Sequence, residues 1–191
     1  ARTPDGHWVR VIGGWSPYQF EERRMPTPAE LTAAAPDTPV YVLFLYSQGF
    51  LNKAAVDALG ISSETATPPG TRYEFTADGG AIVHAIPNPD LLYGTIGALP
   101  AMTEQEQAIS TQHFYRELNR FGLTSIIDAG GGGHKFPIDY KGSEMLAESG
   151  DLPVRISKYL FPQNKANELQ EFQQWTKDWE VGVNRAEELM H

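Results

Sequence analysis

The sequence has no cysteine. Disulfides, thiolate nucleophiles and every zinc site with sulfur ligands are therefore excluded. Long apolar runs are also missing: the longest, Val40 to Tyr46, is strand-sized and far short of the ~18 residues a membrane helix needs. Positive charge is scarce. Lys and Arg number 15 against 24 Asp and Glu, a formal net charge of -9. An acidic surface repels phosphate backbones and anionic headgroups, so neither nucleic acid nor a membrane surface is an expected partner. Histidine is thinly spread as well. His7, His84, His113, His134 and His191 form no His-x-His or His-x-x-x-His pair, the spacings that put two ligands on one metal. The first residues have neither a starting Met nor the apolar core of a signal peptide. They read as a cytoplasmic chain, or as one trimmed or cut from something longer.

What is present fits a folded domain. The chain has 191 residues, of which 41% are hydrophobic and 20% charged. A complete eight-stranded α/β barrel usually needs ~250 residues and at least ~200. Trp8 to Ile12 reads as a short strand, followed by Gly13-Gly14 and an aromatic loop, Trp15 to Phe20. Thr27-Pro28-Ala29-Glu30 is a capping box that opens a brief helix. Val40 to Leu45 is a strand of the kind buried on both faces. Leu51 to Leu59 fits a helix stopped by Gly60, and Asp78-Gly79 marks a hairpin between Arg72–Phe75 and Ala81–His84. Residues 86–100, rich in Pro, Gly and Asn, read as an irregular loop.

A second capping box, Thr103 to Glu106, opens a long helix ending at Phe121-Gly122, with Ile109, Phe114, Leu118 and Phe121 able to share one face. Leu123 to Asp128, a helix near residues 138–149 and a strand within 152–160 then make a strand–helix–strand unit of the right length for a parallel crossover. A last amphipathic helix covers about Asn167 to Trp179. The fold class read from this pattern is mixed α/β in two halves, an irregular α+β part over 1–101 and a regular α/β part over 102–191.

Several groups are candidates for chemistry. Asp128 ends its strand just before Gly130-Gly131-Gly132-Gly133-His134-Lys135. Ligands gather at the carboxyl ends of parallel strands, so Asp128 and His134 can face a pocket. The alternative is a connector whose Asp caps backbone amides. An anion-binding protein built on this loop is a further reading, although no Lys-Ser/Thr pair completes a phosphate loop. Trp15, Tyr18 and Phe20 lie in a loop, where they either line a pocket for an apolar substrate or pack as a satellite core. Tyr46, Gln48 and Asn52 gather a phenol and two amides after the buried strand, a polar edge for that pocket. His84 ends the hairpin as a cross-strand partner. Glu21-Glu22 and Glu187-Glu188 have polar neighbours and read as solvated charge. Ser47 lacks the first glycine of a nucleophile elbow.

In order along the chain stand Gly13-Gly14-Trp15, Pro36-Asp37-Thr38-Pro39-Val40, Asn52-Lys53-Ala54-Ala55, Leu59-Gly60-Ile61, Pro68-Pro69-Gly70, Asp78-Gly79, and Leu118-Asn119-Arg120-Phe121-Gly122-Leu123-Thr124-Ser125. This set resembles family 3 of the amidohydrolase superfamily, metal-dependent TIM-barrel hydrolases that include N-substituted formamide deformylases. The resemblance implies a divalent metal, usually zinc, that activates water against a C–N bond in an amide, N-acyl or N-formyl compound.

It also implies that residues 1–101 are an insertion shaping the substrate pocket and 102–191 a partial (β/α) barrel segment. The family's His-x-His pair and its later ligands fall on strands outside this stretch, so no metal ligand maps onto it. Where many relatives have a histidine shortly before the position of Asn52, this chain has Tyr46-Ser47-Gln48. The expectation is an internal fragment, inactive alone, with Trp15, Tyr46, Gln48, Asn52, Asp128 and His134 lining the pocket of a longer enzyme. Its small-molecule substrate is amide-like, and exposed barrel edges lead the fragment to self-associate. The competing expectation is a non-enzymatic small-molecule-binding α/β module.

Overall fold

A computed structural model of the chain describes residue 3 and residues 6–130, 136–162, 164 and 166–178. The chain divides into two compact units, Ala1–Ala101 and Met102–His191. Both are mixed α/β.

In the first unit the elements follow as β1 (Val9–Val11), α1 (Pro28–Ala34), β2 (Val40–Phe44), β3 (Gln48–Leu51), α2 (Lys53–Leu59), β4 (Arg72–Phe75), β5 (Ala81–His84) and α3 (Asp90–Gly97). The strands form one sheet in the order β1-β2-β3-β5-β4, with β1 parallel to β2 and every other pair antiparallel. Side chains alternate across a strand, and here both faces are covered. Tyr41, Leu43, Leu51, Ala81 and Val83 pack with Ala55 and Val56 of α2 and Leu91 and Leu92 of α3. Val40, Val42 and Phe50 pack on the opposite side with Val11, Trp15, Met25 and Leu31. Burial on both faces is why β2 is apolar nearly throughout.

Two elements differ from the sequence expectation. Residues 48–51 form a strand, and the helix begins only after Asn52. Four residues containing a glycine show no period of their own; β3 is a strand because β2 and β5 flank it. The expected irregular loop over 86–100 contains α3, which has no side-chain cap and is held by burial of Leu91, Leu92 and Thr95.

The second unit runs α4 (Glu104–Arg120), β6 (Ser125–Asp128), a 3-10 turn at Ile138–Tyr140, α5 (Lys141–Glu148), β7 (Arg155–Lys158) and α6 (Glu168–Asp178). β6 and β7 are parallel, Ser125 facing Arg155 and Asp128 facing Lys158. No closed barrel is present among the described residues. The apolar face expected of α4 is open: Ile109, Phe114 and Phe121 are exposed. The helix packs on α5 through a smaller, more polar strip. A Cβ on Gly142 would come within 2.9 Å of Thr111 Oγ1, so glycine there permits the close approach. Lys141 Nζ bonds Glu104 Oε1 at 2.6 Å, tying the two helix starts together. Trp179 lies outside the described residues. No helix among the described residues is long and apolar enough to cross a membrane.

Candidate functional site

The first unit contains a pocket of about 380 Å³, within the range of small-molecule sites. Its floor is Val11 of β1 and Val42 of β2; its walls are Leu31 of α1, Met25, Pro26, Phe20 and Trp15. Trp15 is fixed in two ways. Its indole Nε1 donates to the Leu43 carbonyl at 2.9 Å, and its ring packs between Phe44 (centroids 5.2 Å apart) and Phe20 (6.0 Å). An indole with its one donor satisfied presents an apolar ring to a ligand. The loop is shaped by a 3-10 turn at Pro17–Gln19, capped reciprocally by Ser16 and Gln19.

Glu22, Arg24 and Glu30 form the polar part of the lining. Arg24 and Glu30 pair through both guanidinium nitrogens, at 2.5 and 2.9 Å. Glu30 also accepts from Thr27 N at 2.8 Å and Thr27 Oγ1 at 3.0 Å, closing the capping box of α1. The Arg24 hydrogen bond, and then those from Thr27, hold the Glu30 carboxyl down at a pKa of about 2.

Beyond Phe44 the same sheet face turns polar. Gln48 stands opposite Phe44, His84 opposite Gln48, and Arg72 opposite His84. His84 Nε2 lies 2.9 Å from Glu74 Oε2, and Arg72 Nη2 lies 3.4 Å from the same oxygen. The carboxylate fixes the imidazole's orientation. His84 as a cross-strand partner was legible in the hairpin; its meeting with Gln48 required the unrecognised β3.

The candidate residues thus separate. Trp15 and Gln48 flank Phe44 on one sheet face, and Tyr46 lies in the turn between Phe44 and Gln48, 66% exposed. Asn52 is fully buried and belongs to the fold. Its Oδ1 accepts from Val40 N and Ala55 N, and its Nδ2 donates to the carbonyls of Ala35 and Thr38, all between 2.8 and 3.0 Å. It caps α2 and stitches that helix to β2; it does not line the pocket. Asp128, in the second unit, accepts from Gly130 N at 3.0 Å, the turn-capping alternative. Behind burial, its charge is a second cause raising the phenol pKa values of Tyr115 and Tyr140. His134 lies outside the described residues.

No group of three or more His, Asp or Glu side chains able to hold a metal ion occurs among the described residues. The Glu74 oxygen that meets His84 also has the Arg72 guanidinium 3.4 Å away, a cation where a metal would compete for the same carboxylate. These residues do not fit a resident metal.

Comparison with known proteins gives a consistent picture. The profile of the amidohydrolase family matches residues 1–187. The N-substituted formamide deformylase of Arthrobacter pascens is 32% identical over 133 residues, covering 66% of this chain. The chain spans about a quarter (24%) of the length of that curated relative. No solved structure matches.

Proposed function

The chain belongs to the amidohydrolase family, and from that premise we propose that it supplies part of the substrate-binding surface of a hydrolase acting on the C–N bond of an amide, N-acyl or N-formyl compound. The observation that carries this reading is the Trp15 pocket, an apolar cavity of about 380 Å³ in a member of that family. The pocket takes the apolar group on the amide nitrogen, with Tyr46 and Gln48 at its polar edge. A divalent metal, zinc by family resemblance, supplies the activated water, and its ligands belong to parts of the enzyme other than the described residues. The 191-residue chain by itself is then inactive.

Residues 1–101 act in this proposal as the insertion that shapes the pocket, and 102–191 as a partial barrel segment. The parallel pair β6–β7 joined through α5 supports the second assignment. Asp128 orders the turn that leads into the glycine run, and His134 in that run is the remaining candidate for substrate contact. The exposed Phe114, Phe121 and Ile127 support self-association of the isolated chain.

The test is calorimetry and amine-release assays with N-alkyl formamides of increasing chain length. The chain is expected to bind longer alkyl groups more tightly and, with zinc added, to turn none over. A longer gene product containing this segment is expected to hydrolyse them. Turnover by the 191-residue chain, or affinity indifferent to alkyl length, overturns the proposal. The binding-module reading is favoured by one observation, that the pocket is complete within one unit and has no metal-ligand group among the described residues. Hydrolysis by the longer product removes it.

A further inference from the structure

The polar lining of the pocket is unbalanced in charge. Arg24 is fully engaged by Glu30 and also donates to the Met25 carbonyl at 3.0 Å. The Glu30 carboxylate in turn accepts from Arg24 on both oxygens and from Thr27 N and Oγ1 on one of them. Glu22 shares that lining and makes no hydrogen bond or ion pair among the described residues; it acts on Arg24 only through space. Arg23, next in the chain, is not among the lining residues. An apolar interior built on Val11, Trp15, Leu31 and Val42 thus shares its lining with two carboxylates and one guanidinium, and among the described residues Glu22 is the lining charge outside the Arg24–Glu30 pair.

We propose that this pocket selects ligands that join an apolar body to a single positive charge, alkyl- or arylalkyl-ammonium ions, with Glu22 as the counter-charge. A carboxylate ligand meets the reverse situation, because its only possible partner, Arg24, is held by a bidentate pair. The inference rests on the C–N hydrolase reading above and deepens it. Hydrolysis of an N-substituted amide breaks the C–N bond, adds water across it, and leaves a carboxylic acid and an amine, which is protonated at neutral pH. The pocket that holds the neutral N-substituent before cleavage then holds the ammonium after it. The amine product is accordingly a competitive inhibitor of the intact enzyme.

Calorimetric titration of the 191-residue chain with hexylammonium, hexan-1-ol, hexanoate and N-hexylformamide tests the charge preference. Hexylammonium is expected to bind about threefold tighter than the alcohol, the size of one solvent-exposed charge pair, and about tenfold tighter than hexanoate. Glu22→Gln is expected to bring hexylammonium down to the alcohol's affinity and to leave the alcohol and the formamide unchanged. Leu31→Trp, which fills the cavity, is expected to abolish binding of all four. Equal affinities for hexylammonium and hexanoate, or an unchanged hexylammonium affinity in Glu22→Gln, overturn the charge inference while formamide binding leaves the pocket assignment standing. Failure of all four ligands to bind overturns both.

Discussion

The two units solve the same problem with different completeness. In the first, a five-stranded sheet is covered on both faces by two hydrophobic clusters. In the second, a two-stranded parallel ribbon carries Ile127 exposed on β6, and α4 buries none of its residues. Among the described residues of the second unit, the buried apolar ones are Tyr140, Leu146 and Val154. Parallel sheets ordinarily have both faces covered by helices, and an isolated pair of strands has little independent stability. The first unit therefore carries its own core, whereas among the described residues of the second both β6 and β7 keep exposed positions. Secondary structure in the second unit rests more on local devices: the Thr103–Glu106 capping box, the Glu104–Lys141 bond and the Asp128 turn.

The sharpest way to break that comparison uses two polar residues with the same formal task, Asn52 and Asp128, each satisfying backbone groups. Asn52 makes four hydrogen bonds, two of them buried and two part-buried, that join α2 to β2 and to the end of α1. Replacing it with Ala leaves backbone donors and acceptors without partners inside the core. Asn52→Ala is expected to destabilise the first unit by about 3–5 kcal/mol, at roughly 1–3 kcal/mol for each unsatisfied buried group. Among the described residues the Asp128 side chain makes one exposed bond, and Asp128→Ala is expected to change stability by no more than about 0.5 kcal/mol. Urea unfolding of both variants checks the pair. Similar losses would mean that the second unit is as tightly organised as the first.

The same pair shows where sequence reasoning reaches. The sequence expectation puts Asn52 inside a helix from Leu51 and at the pocket's polar edge; the local half of its role is the N-cap form of an Asn directly before Lys53-Ala54-Ala55. The other half, bonds to Ala35, Thr38 and Val40, depends on β2 and α2 meeting in space. Capping boxes at Thr27 and Thr103 were legible because the signal lies within four residues. β3 was not, because its hydrogen bonds go to strands on either side and its own sequence, Gln-Gly-Phe-Leu, has no alternation. The open face of α4 has a related cause. Apolar spacing shows that a stripe exists and says nothing about whether the chain provides a cover. At the candidate site, the aromatic loop at Trp15 was legible as a pocket wall or a packed cluster, and Trp15 both lines the pocket and packs on the core; the row Phe44, Gln48, His84, Arg72 depends on β3.

A smaller effect sharpens the picture of how tightly the first unit is built. Tyr41 is fully buried, and its hydroxyl has no hydrogen-bond partner. Its ring lies against Gly49, where a Cβ would come within 2.7 Å of the phenol. Burial, with a lesser contribution from Tyr73, pushes the Tyr41 phenol far above its ordinary pKa. Tyr41→Phe removes the desolvated hydroxyl and keeps the ring, so it is expected to raise stability by about 1 kcal/mol. A loss measured by the same unfolding experiment would show that the hydroxyl is satisfied in solution.

The smallest expected effect concerns acid. Glu30 in the first unit and Glu104 in the second are both held below the ordinary carboxylate pKa, in each case first by a hydrogen bond from a cation, Arg24 or Lys141. Glu30 has Thr27 as a further donor and reaches about 2. A depressed folded-state pKa adds stability that is fully present above the unfolded value near 4.5 and disappears as pH falls through the folded value. For Glu30 that window runs from about 4.5 down to about 2. Both pairs are solvent-exposed, so the gain is small and screened by salt. Carboxyl titration by NMR is expected to give a Glu30 midpoint near 2. Arg24→Ala is expected to move that midpoint upward without restoring the ordinary value, because Thr27 N and Oγ1 still donate to the carboxylate. If Arg24→Ala leaves the midpoint in place, the capping box alone holds Glu30, and Arg24 is free to meet an anionic ligand at the pocket.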